Sequence, residues 1–183
     1  MTGDDDRRDM QELAAGRHEA LERLYKRYGQ RLASFFWRMG SAPGEGDELV
    51  QDVFIQLWRH RGAWRGEGQL TTYLFGIART VWLASREARD GSAAGLEAIS
   101  GPEAPPAHAE LERRELAGVI ETAIAALPEP LRLVFSLGTA GGLKYREIAA
   151  LLGIPVGTVK SRMYAAHEQL RAQLSGYLGA GRR

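Results

Sequence analysis

Tyr145-Arg-Glu-Ile-Ala-Ala-Leu-Leu-Gly153-Ile-Pro-Val-Gly-Thr-Val-Lys-Ser-Arg-Met-Tyr164 reads as two short helices joined by a tight turn. Ile148, Leu151 and Leu152 give the first helix an apolar face at spacings of three and four. Gly153 stands where a helix commonly ends in the left-handed conformation, which a residue without Cβ adopts freely. Pro155 lacks an amide hydrogen and suits the first turn of the helix that follows. Val156, Val159, Met163, Ala166 and Leu170 mark the buried side of that second helix. Gly157, Lys160, Ser161, Tyr164 and Glu168 fall opposite, with Thr158, Arg162 and Ala165 on the flank. A helix that enters a DNA major groove needs an apolar face against its scaffold and short polar or basic groups towards base edges and phosphates. An ordinary αα-hairpin has the same apolar spacing, but Gly-Ile-Pro followed by Thr-Val-Lys-Ser-Arg favours the helix-turn-helix.

Working outward, the 183 residues are 44% hydrophobic and 26% charged, a composition that suits a soluble globular protein with one good core or two small ones. The absence of cysteine excludes disulfides, thiolate nucleophiles and cysteine-ligated zinc, and fits a reducing compartment. No apolar run approaches the roughly 20 residues that span a bilayer. The first residues, Met-Thr-Gly-Asp-Asp-Asp-Arg-Arg, lack the apolar core of a signal peptide, so a cytoplasmic protein without membrane insertion is expected. Net charge is only +1 but unevenly spread: zero over 1–85, −4 over 86–125 and +5 over 126–183. The positive excess lies where the helix-turn-helix lies.

Periodicity predicts an all-α fold. A long amphipathic helix covers 17–39, with Leu21, Leu24, Tyr25, Tyr28, Leu32, Phe35, Phe36 and Met39 on one stripe. A second runs from Asp47 to His60 and buries Val50, Val53, Phe54, Leu57 and Trp58. Residues 61–69 form a glycine-rich loop. A third helix then turns Leu70, Tyr73, Leu74, Ile77, Ala78, Val81 and Trp82 inwards. Between 91 and 109 glycine, serine, alanine and proline replace any apolar period, the signature of a flexible linker. A second helical domain begins near Glu110 with Leu116, Val119, Ile120, Ala123, Ile124 and Leu127. Pro128-Glu-Pro130 opens a helix with Leu131, Val134 and Phe135, and the tail from Ser175 is glycine-rich and basic. Two small helical domains joined by a flexible linker, 8–90 and 110–176, are therefore expected, the second containing the helix-turn-helix.

Catalytic chemistry finds little support. There is no GxGxxG, no GxxxxGK[ST] and no GxSxG. The acidic cluster Glu45, Asp47, Glu48 and Asp52 invites a carboxylate–metal reading, but none of His18, His60, His108 and His167 follows a Glu at the spacing of a helical di-metal site. No catalytic residue, metal or cofactor is expected. Two surfaces remain. The polar side of the second helix presents Glu48, Gln51, Asp52 and Arg59 with Ile55 among them, and an apolar residue on a polar face suggests a docking partner. A solvated acidic face with one stray isoleucine is the alternative. Loop 61–69 combines Arg61, Trp64 and Arg65, with Tyr73 in the next helix; aromatics flanked by cations stack on unpaired bases. Trp64 capping the bundle is the alternative there.

These residues resemble a known family, the group IV or extracytoplasmic-function (ECF) sigma factors of bacterial RNA polymerase, within the sigma-70 family. Asp47-Glu-Leu-Val-Gln-Asp-Val-Phe-Ile-Gln-Leu-Trp-Arg59 is similar to the core-polymerase-binding helix, and Leu70-Thr-Thr-Tyr-Leu-Phe-Gly-Ile-Ala-Arg79 to the promoter-melting segment. Ala126-Leu-Pro-Glu-Pro-Leu-Arg132 and Gly142-Leu-Lys-Tyr-Arg-Glu-Ile-Ala149, with the following Val-Gly-Thr-Val-Lys-Ser-Arg, resemble the −35-binding domain. The resemblance implies that Glu48, Gln51, Asp52 and Ile55 dock on the clamp helices of the polymerase's largest subunit. It implies that Arg61, Trp64, Arg65, Tyr73 and Arg79 contact the −10 element. It implies that Thr158, Lys160, Ser161, Arg162 and Tyr164 read the −35 element, with Lys144 and Arg146 on its backbone. An anti-sigma factor is an implied further partner. The chain departs from the family at Thr80, where Asn is usual, at Ala84-Ser-Arg-Glu-Ala88, and at Ala165-Ala166-His167, where basic residues are common. With fewer cations there, affinity leans more on tethering through polymerase. The rival reading is an autonomous helix-turn-helix regulator whose N-terminal bundle senses a ligand or dimerises; it has no use for a docking face at 48–59.

Overall fold

A computed structural model describes residues 2–42, 44–90 and 118–180. Every regular element among them is a helix, and the fold is all-α with two helical domains, as the periodicities predict. The expected linker at 91–109, Leu116 and the start of the helix expected near Glu110 lie outside the described residues. The N-terminal domain comprises α1 (Thr2–Ala14), α2 (His18–Met39), α3 (Glu45–Arg59) and α4 (Leu70–Asp90). The C-terminal domain comprises α5 (118–125), α6 (Glu129–Thr139), α7 (Tyr145–Leu152) and α8 (Val156–Ala180).

The α2 stripe is buried at Leu24, Tyr28, Leu32, Phe35, Phe36 and Met39. Two of its expected members behave otherwise. Leu21 is only partly buried, and Tyr25 is 44% exposed with its ring tilted against Phe54 at 5.1 Å. From α3, Leu49, Val50, Val53, Phe54 and Leu57 enter the core; Trp58, expected inside, stays half-exposed and stacks on His18 at 4.4 Å. From α4, Leu70, Leu74, Ala78 and Trp82 are buried. Phe75 joins them because Phe35 meets it edge-on at 5.5 Å. Tyr73, Ile77 and Val81, expected on the inner face, are half-buried because that side of α4 turns towards α7.

Helix α1 was not foreseen from the periodicity. It packs along α2 through Met10 and Leu13, and it brings two carboxylates into the interior: Asp6 is 6% exposed and Asp9 fully buried. Buried carboxylates need partners. Arg23 Nε–H donates to Asp9 Oδ1 (2.7 Å) and its Nη2 to Glu12 Oε2 (2.6 Å). Arg27 donates from Nη1 to Asp6 Oδ1 (2.6 Å) and from Nη2 to Asp9 Oδ2 (2.9 Å). Tyr28 O–H completes the set at Asp6 Oδ2 (2.6 Å).

Burial, with the bond to anionic Asp6, pushes the Tyr28 phenol up to about 12 from its ordinary value of 10.0. The unfolded phenol ionises first, so the native state holds its proton over a range where the unfolded chain has lost it, and stability falls as pH rises. The contribution is complete below pH 10 and is lost between pH 10 and about 12. It amounts to up to about 2 kcal/mol. Urea unfolding of wild type and Tyr28→Phe across that range should show the stability difference between them shrinking as pH rises; a constant difference contradicts the assignment.

In the C-terminal domain, Pro128 has extended geometry and Pro130 sits in the first turn of α6, where a missing amide hydrogen does no harm. Ala123, Ile124, Leu127, Val134, Phe135, Ile148, Val159, Met163, Ala166 and Leu170 form the core. The domains also touch, α2 against α6 and α4 against α7.

Candidate nucleic-acid interface

The turn between α7 and α8 is built as its sequence requires. Lys144 N–H donates to Glu147 Oε2 (2.6 Å), closing the start of α7. Gly153 ends that helix at φ +65°, in the left-handed region, with Ile154 N–H bonded back to Ala149 O (3.1 Å). A Cβ on Gly153 would meet nothing within 4 Å, so it is the backbone conformation that asks for glycine. Pro155 then opens α8, its carbonyl accepting from Thr158 and Val159. Val159, Met163, Ala166 and Leu170 point inwards. Gly157, Lys160, Ser161, Tyr164 and Glu168 point to solvent, Tyr164 with 69% of its surface exposed, while Thr158, Arg162 and Ala165 are intermediate. Lys144 and Arg146 are exposed at the start of α7. Lys160, Ser161 and Tyr164 thus share the open side of α8, with Thr158 and Arg162 half-buried on its flank. Ser161 Oγ–H donates to Thr158 O (3.0 Å).

On α3, Glu48, Gln51, Asp52 and Ile55 form a continuous exposed face, with Ile55 45% exposed. Loop 61–69 is divided. Arg65 is open to solvent. Arg61 lies over the Trp58 ring at 4.8 Å and donates to Trp58 O (3.2 Å), so its head is partly spent within the fold. Trp64 is half-buried against the core, and its Nε1–H finds no acceptor among the described residues. Tyr73 is half-buried, which pushes its phenol upwards. Arg79 is half-buried too, with Nε shielded and unpartnered among the described residues. Trp64 and Tyr73 share a groove of about 1020 Å³ between α3, α4 and α7, lined also by Asp52 and Gln56 of α3 and by Arg146 and Leu151 of α7. Residues expected to serve three separate purposes therefore border one cleft. Among the described residues no cluster of histidine, aspartate and glutamate is placed to hold a metal ion, and no helix is long and apolar enough to cross a membrane.

Sequence reasoning did not find the contribution of α7 to this cleft. Ile148 and Leu151 read as one apolar face, yet Ile148 enters the core whereas Leu151 turns half-exposed towards Gly76 of α4. The glycine in an otherwise apolar stretch of α4 was the available signal.

A four-helix platform with a buried core and an exposed acidic face, carrying a second domain that ends in an open helix-turn-helix, defines a helical DNA-binding protein of two domains. Residues 24–91 match the Sigma-70 region 2 family and residues 117–170 match Sigma-70, region 4. The chain is 30% identical over 177 residues to the ECF RNA polymerase sigma-E factor of Escherichia coli K12, covering 88% of this chain and 90% of that one. It is 29% identical over 182 residues to the ECF RNA polymerase sigma factor RpoE of Cereibacter sphaeroides, covering 96% and 100%. In fold it is similar to the sigma factor RpoE of Bartonella quintana, solved in complex with the anti-sigma factor NepR, with a TM-score of 0.66 at 23% identity over 84% of this chain and 96% of that one. The chain belongs to the extracytoplasmic-function family of RNA polymerase sigma factors, which initiate transcription.

Proposed function

We propose that this sigma factor joins core RNA polymerase through α3 and grips promoter DNA at two places. Glu48, Gln51, Asp52 and Ile55 dock on the clamp helices of the largest subunit. Loop 61–69 and α4 take the −10 element through Arg65, Trp64 and Tyr73, with Arg61 and Arg79 close by. The strip Thr158, Lys160, Ser161, Arg162 and Tyr164 reads the −35 element, and Lys144 and Arg146 hold its phosphates. Residues 8–90 and 110–176 are the two working units, joined by 91–109. The protein acts in the cytoplasm as an initiation factor, with no bond-breaking chemistry of its own. An anti-sigma factor is a natural regulator, as the NepR complex is for the Bartonella protein.

The observation that carries this reading is Ile55, 45% exposed within the acidic face of α3 on the same chain as an uncovered recognition helix. An autonomous regulator would use an isoleucine there only to dimerise. The test is transcription from a genomic fragment library by core polymerase with and without the purified chain. Initiation at a defined set of start sites is expected; duplex binding without initiation would favour the regulator.

Within α8 the roles separate. Tyr164→Ala and Ser161→Ala should change which −35 sequences are preferred, because both face base edges. Lys144→Ala should weaken all sequences alike, roughly threefold, and reduce the slope of log affinity against log salt by about one. Binding-site selection with each variant checks this, and a Lys144→Ala protein with altered sequence preference would contradict the assignment.

A further inference from the structure

The two domains are held together from one side. Arg31 of α2 donates from Nε to Ala140 O (3.1 Å) and from Nη2 to Gly141 O. Both carbonyls lie just past the C-terminus of α6, where carbonyls lack intrahelical donors and carry partial negative charge. The turn is shaped to admit the guanidinium: Gly142 has φ +62°, and a Cβ on it would fall 2.9 Å from Arg31 Nη2. Seven residues along the same face of α2, Arg38 donates to Thr139 Oγ1 (2.7 Å) and to Glu121 Oε1 (3.4 Å). Arg86 of α4 pairs with Glu129 Oε2 at 2.6 Å. All three cations belong to the N-terminal domain and all their acceptors here to the C-terminal one. Beside them α4 and α7 approach so closely that a Cβ on Gly76 would lie 3.3 Å from Leu151 Cδ1.

This arrangement conflicts with a two-handed promoter grip. Elements at −10 and −35 lie about 25 base pairs apart, roughly 85 Å of duplex at 3.4 Å per pair. A compact chain of this length has a radius of gyration of only about 16 Å. Domains in contact cannot reach both elements, and α7 also walls the groove that contains Trp64 and Tyr73. We propose that Arg31, capping the end of α6 from the other domain, latches a closed state that must open before both promoter elements can be held. Arg38 and Arg86 reinforce it. What closure withholds rests on the promoter reading above; the latch itself does not.

The chain has no cysteine, so introduced thiols are unique. Lys26→Cys and Gln169→Cys, at exposed positions on α2 and α8, carry a donor–acceptor dye pair. In the free protein Arg31→Gln is expected to lower transfer efficiency. It should also raise apparent affinity for a polymerase–promoter assembly about three- to tenfold, because apparent Kd falls in proportion as the competent fraction rises. Unchanged transfer efficiency in Arg31→Gln overturns the latch, whatever the promoter assay shows. A second variant, Gly76→Cys with Leu151→Cys, pins α4 to α7 when oxidised. Oxidised protein should bind core polymerase yet initiate at least about tenfold less, with recovery on reduction. Cross-linked protein that initiates as well as its reduced form also overturns the proposal. Reduced protein that never initiates sinks the functional reading and leaves the fluorescence result to decide the latch.

Discussion

Asp52→Arg is expected to weaken binding to core RNA polymerase by roughly 30-fold, the range typical of a reversed charge at a close interfacial pair. Asp52 is exposed on α3 beside Glu48, Gln51 and Ile55, so replacing it removes no packing from the bundle. Surface changes of this kind alter stability by at most about 0.5 kcal/mol, and the melting temperature should stay within a degree or two of wild type. The geometry makes the outcome diagnostic. Asp52 of α3 and Arg146 of α7 both line the groove between the domains. An arginine at 52 would add a second cation to that groove and disfavour the closed state, which already leaves polymerase binding intact. A measured loss must therefore come from the docking face. Titration of labelled polymerase with wild type, Asp52→Asn and Asp52→Arg should give a graded loss, steeper at low salt. Unchanged affinity for Asp52→Arg would remove the proposed docking face from α3.

Much of this was legible in the sequence, for a physical reason. Where a helix gathers its apolar residues on one stripe they recur at 3.6, and the period names the buried face. That holds for Val159, Met163, Ala166 and Leu170, and equally for Lys160, Ser161 and Tyr164 opposite them. It holds for α2 from Leu24 to Met39. The period misleads on α4, whose apolar residues divide between the core and the cleft. In α4, Phe75 is buried against Phe35, whereas Tyr73, Ile77 and Val81 line the cleft facing α7. Helix α1 carries almost no apolar signal: only Met10 and Leu13 serve as buried anchors, and the rest of its attachment is ionic, made with residues up to 22 positions away. Nothing local announces such pairs. Arg31 is harder still, because its acceptors are backbone carbonyls about 110 residues along the chain, and any sequence supplies carbonyls. Within the candidate site, the loop composition identified Arg61, Trp64 and Arg65 together, but could not tell that Arg61 lies on Trp58 while Arg65 stays free to reach outwards.

Asp9→Ala is expected to destabilise the N-terminal domain by about 3 kcal/mol, the low end for breaking a buried ion pair by removing one partner. The side chain is fully buried and accepts from both Arg23 and Arg27. Hydrogen bonds to Asp9 first, and to Glu12 second, hold the Arg23 guanidinium above its usual range. For Arg27 burial works against the charge, and the bonds to Asp6 and Asp9 outweigh it. After the substitution each guanidinium keeps one carboxylate, Glu12 for Arg23 and Asp6 for Arg27, which limits the loss. Thermal unfolding should move down by more than about ten degrees for a domain of this size. Asp9→Asn, which keeps the shape and an acceptor oxygen for one guanidinium, should lose less than Asp9→Ala. A loss below about 0.5 kcal/mol for Asp9→Ala would mean that α1 is held by Met10 and Leu13 alone. The effect should also reach the promoter. Arg7 of α1 lies behind the loop, its Nε 3.8 Å from where a Cβ on Gly66 would stand, and α1 walls a second cavity with Trp64 and Gln69. Releasing α1 frees the back of the loop proposed to take the −10 element. Asp9→Ala should therefore reduce promoter opening at temperatures below its melting transition, while the isolated affinity of α8 for the −35 element stays unchanged.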